Sequence, residues 1–469
     1  MTQAAAAAVP EKARLGAELA WASGSFATGA LFNGMALFAL FFMTTFLSIE
    51  PAVAGTILLI IRLYDGIIDP LIGTISDRTN HRWGPRRIYL LIGAIGMGVS
   101  FALFFNQPTS SSISTAAMTL LILMLYSTAY SVFSIPYLAM PPEIAPSYDG
   151  RTRLMSFRVF FQLAGVTAGS VGAPFLIQLA GGDLAGYQLM GLVLGILATA
   201  LCLVVFIGAA FLPPSVRPRP VPFDGVGKLL ASPFVDTARV FSNAPFRLLT
   251  LVKLFQLAVL ATVLACTPYF FGFVLKLDTG QIGTYFLAFT VAGLIALPIM
   301  RVLIARYGKR ECYIALIALY AVALASWYLW EAGESQIWFF ARAIAIGALG
   351  TGTLLCALSM LPDTMEYDRL QSKQSREGVM SGVFTFVEAL AGAIGPFLIG
   401  LLLQAQGLVQ GRGPDIVQPQ SVLDAVQIGV SLVPAVLCLF AIPLLIRYRL
   451  DEPLLVKMRA EDAAYTKRL

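Results

Sequence analysis

The run RLYDGIIDP, from Arg62 to Pro70, sets one arginine and two aspartates inside an otherwise apolar stretch. Asp65 and Asp69 are four residues apart, so on a helix they share one face, a turn from each other. Two carboxylates and one arginine leave net negative charge in a low-dielectric place. Such a site can hold Na⁺ through oxygen ligands. It can also hold a proton, because burial and a like-charged neighbour both favour a neutral carboxyl. A structural ion pair of Arg62 with Asp65 is the alternative, but one arginine cannot neutralise two aspartates. A second stretch, Tyr126 to Glu143, carries Ser131 and Ser134, three apart, whose hydroxyls could join the ion site; Pro136 breaks its helical hydrogen-bond ladder. A third carries Glu388 on one side with Ser381, Thr385, Gly392 and Gly395. Its face suits a cavity or a buried salt bridge with a basic residue elsewhere. The single histidine, His81, lies in a loop, so a proton relay inside the apolar segments must use carboxylates.

These residues need elements to position them. The chain has 469 residues, 58% hydrophobic and 12% charged, with mean hydropathy +0.79. A soluble domain carries about 25% charged residues, and a membrane span needs about 20 apolar ones. Apolar segments fall near 20–47, 52–74, 88–105, 115–140, 155–179 and 188–212, then near 248–275, 280–304, 312–330, 337–361, 378–404 and 427–447. The polar segment 213–247, with Pro213, Pro214, Pro218, Pro220 and Pro222, divides them. The expected domains are a six-helix half over 1–212, a linker over 213–247, a six-helix half over 248–447 and a tail over 448–469. The polar segment before Ala20 reads as a tail, not a signal peptide. GTISDRTNHRWGPRR (Gly73–Arg87) and RVLIARYGKR (Arg301–Arg310) occupy equivalent connections, which points to a parallel repeat.

The basic residues sort by loop. Arg78, Arg82, Arg86, Arg87, Arg151, Arg153, Lys309, Arg310, Arg369 and Arg376 all fall in alternate connections; the opposite ones hold Lys276 and Arg412. By the positive-inside rule both termini are cytoplasmic. The pI of 9.0 is therefore topological and implies no nucleic-acid partner. Five scattered cysteines form no metal spacing, and neither a phosphate-binding GxxxxGK[ST] loop nor an HExxH motif occurs. An enzyme is not expected. Several charges read as structural or gating ion pairs: Arg62; Asp77 and Arg78 with Arg86 and Arg87; Glu143, Arg151, Arg153 and Arg158; Asp363, Glu366 and Arg376. Lys253 and Arg342 lie near span ends and are expected to snorkel to water.

Three segments carry a family resemblance. RLYDGIIDP, followed by Gly73 and the Trp83–Gly84 loop, resembles the second-helix signature of the glycoside–pentoside–hexuronide:cation symporters, the melibiose-permease branch of the major facilitator superfamily. Ser134-Ile-Pro136-Tyr137 with Glu143, Arg151, Thr152, Arg153 and Arg158 resembles the family's fourth helix and following loop. Asp363-Thr-Met-Glu366-Tyr367, then Arg376-Glu377-Gly378, resembles its tenth-to-eleventh connection. The resemblance implies symport coupled to Na⁺, H⁺ or Li⁺ by alternating access, with the cation at Asp65 and Asp69 and help from the fourth helix. Three departures stand out. Ser134 replaces an aspartate of the melibiose permeases, no acid occurs from Gly24 to Asn33, and no lysine stands near Ala389. Fewer negative ligands weaken a Na⁺ site, which favours H⁺.

The reading is an all-helical membrane protein of twelve spans in two pseudo-symmetric halves. It is expected to be a monomeric symporter of a small organic solute, a glycoside or related sugar, in a bacterial inner membrane. Its partners are the solute and the bilayer, with no cofactor beyond the coupling H⁺ or Na⁺. The expected cation site is Asp65, Asp69, Ser131 and Ser134. Candidates to line the substrate cavity are Asn33, Tyr130, Ser134, Gln162, Gln256, Tyr269 and Glu388. An exporter, a lysolipid carrier on the same fold and a non-transporting membrane sensor are the rivals.

Overall fold

The computed structural model describes residues 11–79, 83, 86–108, 113–144, 148–211, 241–330, 334–372, 377–411, 417–450 and 452–466. Among these, twelve helices are long and apolar enough to cross a membrane. In chain order they are α1 (Glu11–Thr45), α2 (Pro51–Arg78), α3 (Arg87–Phe105), α4 (Ile113–Leu138), α5 (Tyr148–Thr167), α6 (Leu184–Gly208), α7 (Ala244–Tyr269), α8 (Thr279–Tyr307), α9 (Lys309–Ala325), α10 (Gln336–Ser372), α11 (Glu377–Ala405) and α12 (Gln420–Val430 with Leu432–Arg447). A shorter helix, α13 (Glu452–Thr466), follows. α5 continues through a π-helical turn, Ala168–Gly172, into Ala173–Leu179, and α7 ends in another, Phe270–Val274, just past Pro268.

By contact the chain forms two units, one of residues 1–49 and 63–223, the other of 50–62 and 224–469. The first turns of α2 therefore group with the second unit, where Gly55 meets the Pro396–Phe397 backbone of α11. In the first unit α1 packs on α5 and α6, and α3 on α4 and α6. In the second, α7 packs on α11 and α12, and α9 on α10 and α12. The pairings repeat with a shift of six helices, as the two-half organisation requires.

The repeat extends to single side chains. Arg86 donates to the Ala139 carbonyl beyond α4 at 2.5 Å, and Arg87 to the Phe206 carbonyl of α6 at 3.4 Å. In the second unit Lys309 donates to the Ser359 carbonyl of α10 at 3.0 Å. Arg310 donates to the Leu445 and Ile446 carbonyls of α12 at 3.0 and 2.7 Å. The last carbonyls of a helix have no intrahelical donor, and cations there complement the helix dipole. Arg86 and Arg87 thus serve helix ends. Asp77 and Arg78, expected to pair with them, have side chains outside the described residues. Gly308, at φ +90, makes the tight joint between α8 and α9 that sets Lys309 and Arg310 in place.

The unit interiors are aromatic and closely packed. Phe42, Phe104, Phe105 and Tyr187 cluster in the first; Tyr285, Trp327 and Phe339 do so in the second. Small residues let the backbones approach. A Cβ at Gly93 of α3 would lie 2.5 Å from the Phe133 backbone nitrogen of α4, whereas one at Gly172 would meet nothing within 4 Å. Gly93→Ala should therefore force α3 and α4 apart and cost about 1–3 kcal/mol, while Gly172→Ala is tolerated. The fraction of monodisperse protein after detergent extraction and heating checks the contrast.

Candidate functional site

α2 and α4 are joined by a short ladder of polar contacts. Tyr64 and Thr128 share a hydrogen bond of 2.8 Å. Ser127 donates to the Oδ1 of Asp65, and Ser131 donates to the Oδ1 of Asp69 at 2.5 Å. Ser127 and Ser131 are four residues apart, the spacing of Asp65 and Asp69, so two parallel faces meet rung by rung. Both serines are buried and both aspartates half-buried. The missing N–H of Pro70 removes the helical bond that would close on the Gly66 carbonyl, between the two aspartates. Two carboxylates and two hydroxyls thus gather about one turn of α2.

Ser131 stands where the sequence suggested. Ser134 does not join the ladder: it is half-buried and its side chain bonds neither aspartate, and the next α2 position at the four-residue step, Gly73, has no side chain to meet it. Ser127 was missed, although its match in spacing to the aspartate pair was readable.

The family described as MFS/sugar transport protein matches residues 20–452. The chain belongs to this family. The transporter is 26% identical to a symporter of Synechocystis over 96% of this chain and 97% of the relative. It is 24% identical to the isoprimeverose transporter of Lactiplantibacillus pentosus, covering 91% and 87% of the two chains. It is 25% identical to a glucuronide carrier protein homologue of Escherichia coli, covering 92% and 91%. Among solved structures, a bacterial homologue of the human lysosomal transporter Spinster superposes with a TM-score of 0.70 over 94% of this chain and 99% of that one, at 14% identity. The nucleoside transporter NupG, as a D323A mutant, gives 0.67 over 92% and 99%, at 13% identity. These two share the fold. The protein is a multi-pass membrane transporter of small molecules, not an enzyme.

The transporter's other candidate residues fall into two groups. Asn33 of α1 and Tyr130 of α4 are half-buried, and Gln162 of α5 is exposed. In the second unit, two candidates are tied into helix packing. The Gln256 amide donates to Thr353 at 3.1 Å and accepts from Tyr313 at 2.9 Å. Tyr269 is fully buried, with its ring against Phe273. Gln256 is half-buried and Tyr269 has no exposed surface in this structure.

Glu388 is different. It forms an ion pair with Lys253 of α7 at 3.2 Å, and its side chain is 41% exposed while that of Lys253 is 1% exposed. The Lys253 ammonium also lies 5.4 Å from the centre of the Phe384 ring. The expectation that Lys253 snorkels is overturned: its helix face turns toward α11, not toward the membrane surface. Ser381 and Thr385 have side chains outside the described residues. Arg342 pairs with Glu334 at 2.6 Å beneath Trp327 and Trp330.

Of the expected ion pairs, Asp363 bonds Lys309 at 2.6 Å, and Glu366 lies 3.9 Å from Arg369, its neighbour one turn on. Arg153 pairs with Glu18, a residue read as part of a polar tail but carried on α1. Arg158 is half-buried and its Nε has no hydrogen-bond partner. Arg62 is half-buried. Glu143, Arg151 and Arg376 have side chains outside the described residues.

Proposed function

We propose that the transporter is a cation-coupled symporter of a glycoside or related sugar, working by alternating access in a bacterial inner membrane with both termini cytoplasmic. The observation that carries this is the paired ladder of Asp65 with Ser127 and Asp69 with Ser131 on two apolar helices of a sugar-transport family member. Carboxylates at such depth are costly and mark ion pathways. Two relatives named as an isoprimeverose transporter and a glucuronide carrier homologue support a sugar of that kind. The loop charges support the orientation, and a single chain supplies both halves, so a monomer suffices.

The coupling ion is H⁺ in this reading. A proton needs one carboxylate, whereas Na⁺ must replace most of its hydration shell, and the four gathered side chains include only two charged ones. Purified transporter in vesicles should take up isoprimeverose or methyl β-glucuronide when the outside is made acidic, with or without Na⁺. Strong stimulation by millimolar Na⁺ at fixed pH would instead make Na⁺ the coupling ion. Absence of uptake for both sugars under either gradient would overturn the sugar-symport reading.

A further inference from the structure

The Lys253–Glu388 pair is lopsided. Lys253 is sealed at 1% exposure, and Glu388 is its one charged partner among the described residues. Glu388 keeps 41% of its side chain open. Gly392, one turn further along the same face of α11, has nothing within 4 Å of where a Cβ would stand. At 1.5 Å per residue, Lys253 lies ~14 Å from the start of α7 and Glu388 ~16 Å from the start of α11, each more than two turns inside an apolar helix. A carboxylate at that depth cannot face lipid cheaply, so the open side of Glu388 faces water or solute.

The difference in exposure decides which ion can open the pair. A cation that drew Glu388 away would leave Lys253 charged and sealed, at the cost of an uncompensated buried charge. An anion that took Lys253 would release Glu388 toward its open side, where water can receive it. Thr250, three residues before Lys253 on the same side of α7, is 1% exposed and its hydroxyl has no hydrogen-bond partner. A buried hydroxyl in that condition is a donor in want of an acceptor.

Resting on the sugar-symport reading above, we propose that Lys253 is the docking point for an acidic group of the transported solute, a carboxylate or sulfonate. Glu388 is the internal counter-ion that holds the place when the solute is absent, and Thr250 supplies a second donor. The preferred cargo is then an acidic sugar over its neutral counterpart. No covalent step is involved; one anion exchanges for another at a fixed ammonium.

The test is thermal unfolding of the purified full-length protein with acetate, methanesulfonate, methyl β-glucuronide or its neutral match methyl β-glucoside, at constant ionic strength set with chloride. In Glu388→Gln the built-in competitor is gone. The acids should then raise the unfolding midpoint by a few degrees and bind about tenfold tighter than to the wild type. The glucoside should not. The double variant Lys253→Met with Glu388→Gln, which buries no lone charge, should lose the response to acids. Acids that act on Glu388→Gln no better than the glucoside, or that stabilise the double variant equally, overturn the proposal and leave a structural ion pair. Should Glu388→Gln fail to purify, the wild type against the double variant decides: acetate and methanesulfonate must stabilise the first and not the second. If acetate stabilises Glu388→Gln while wild-type vesicles take up neither sugar, the anion site stands and the sugar-symport reading falls. If sugar uptake is intact but no acid discriminates among the variants, the reverse holds.

Discussion

Asp69→Asn should abolish uphill accumulation while leaving downhill exchange of solute. An imposed gradient of one pH unit is worth about 1.4 kcal/mol, which sustains about tenfold accumulation for a one-to-one symporter. The wild type should approach that ratio, and the variant should stop near equality inside and out. The reason is local. Asn keeps the size of the side chain and can still meet the Ser131 hydroxyl, now 2.5 Å from Oδ1, but it cannot take up and release a proton or neutralise a cation. Ser131→Ala should weaken coupling by loss of one rung, and Ser134→Ala, off the ladder, should leave it unchanged. Vesicle uptake against a gradient, run beside exchange of preloaded solute, separates lost coupling from lost transport. A variant that still concentrates solute tenfold sinks the assignment.

The parts of this molecule that were legible in its sequence are those on which the bilayer imposes a one-dimensional rule. Apolar length marks each span. The equivalence of the Arg86–Arg87 and Lys309–Arg310 connections could be read from two short strings, and all four residues donate to backbone carbonyls of neighbouring helices or of the residue just past one, Lys309 inside α10 and the other three at or just past helix ends. What depends on helix rotation was harder. Ser127 stands out only when the four-residue step of Asp65 and Asp69 is matched on the facing helix, where Ser127 and Ser131 repeat it. Lys253 was misjudged because distance from a span end says nothing about which neighbour a face meets. Glu18 looked like tail because it follows the charged residues Glu11, Lys12 and Arg14, yet α1 begins at Glu11 and Glu18 is completely buried. In each case the missing information is azimuth, which only the packing of a partner helix supplies.

The Glu18–Arg153 pair gives the second large effect, and it is asymmetric. Arg153 of α5 grips Glu18 of α1 with two parallel hydrogen bonds, Nε to Oε2 at 2.9 Å and Nη2 to Oε1 at 2.8 Å. Glu18 is 0% exposed and the Arg153 side chain 44%. Arg153→Met removes the bidentate partner of a sealed carboxylate, and breaking a buried pair from that side costs about 3 kcal/mol or more. Glu18→Gln leaves a neutral amide in the same space and an arginine that water can still reach, so its cost should be nearer 1 kcal/mol. The double variant should be more stable than Arg153→Met alone, because it strands no charge, with a coupling of about 2 kcal/mol between the sites. Unfolding midpoints of the four proteins in one detergent measure the cycle. Equal losses for the two single variants would mean that the pair acts through simple packing of α1 on α5, and that its charges contribute nothing of their own.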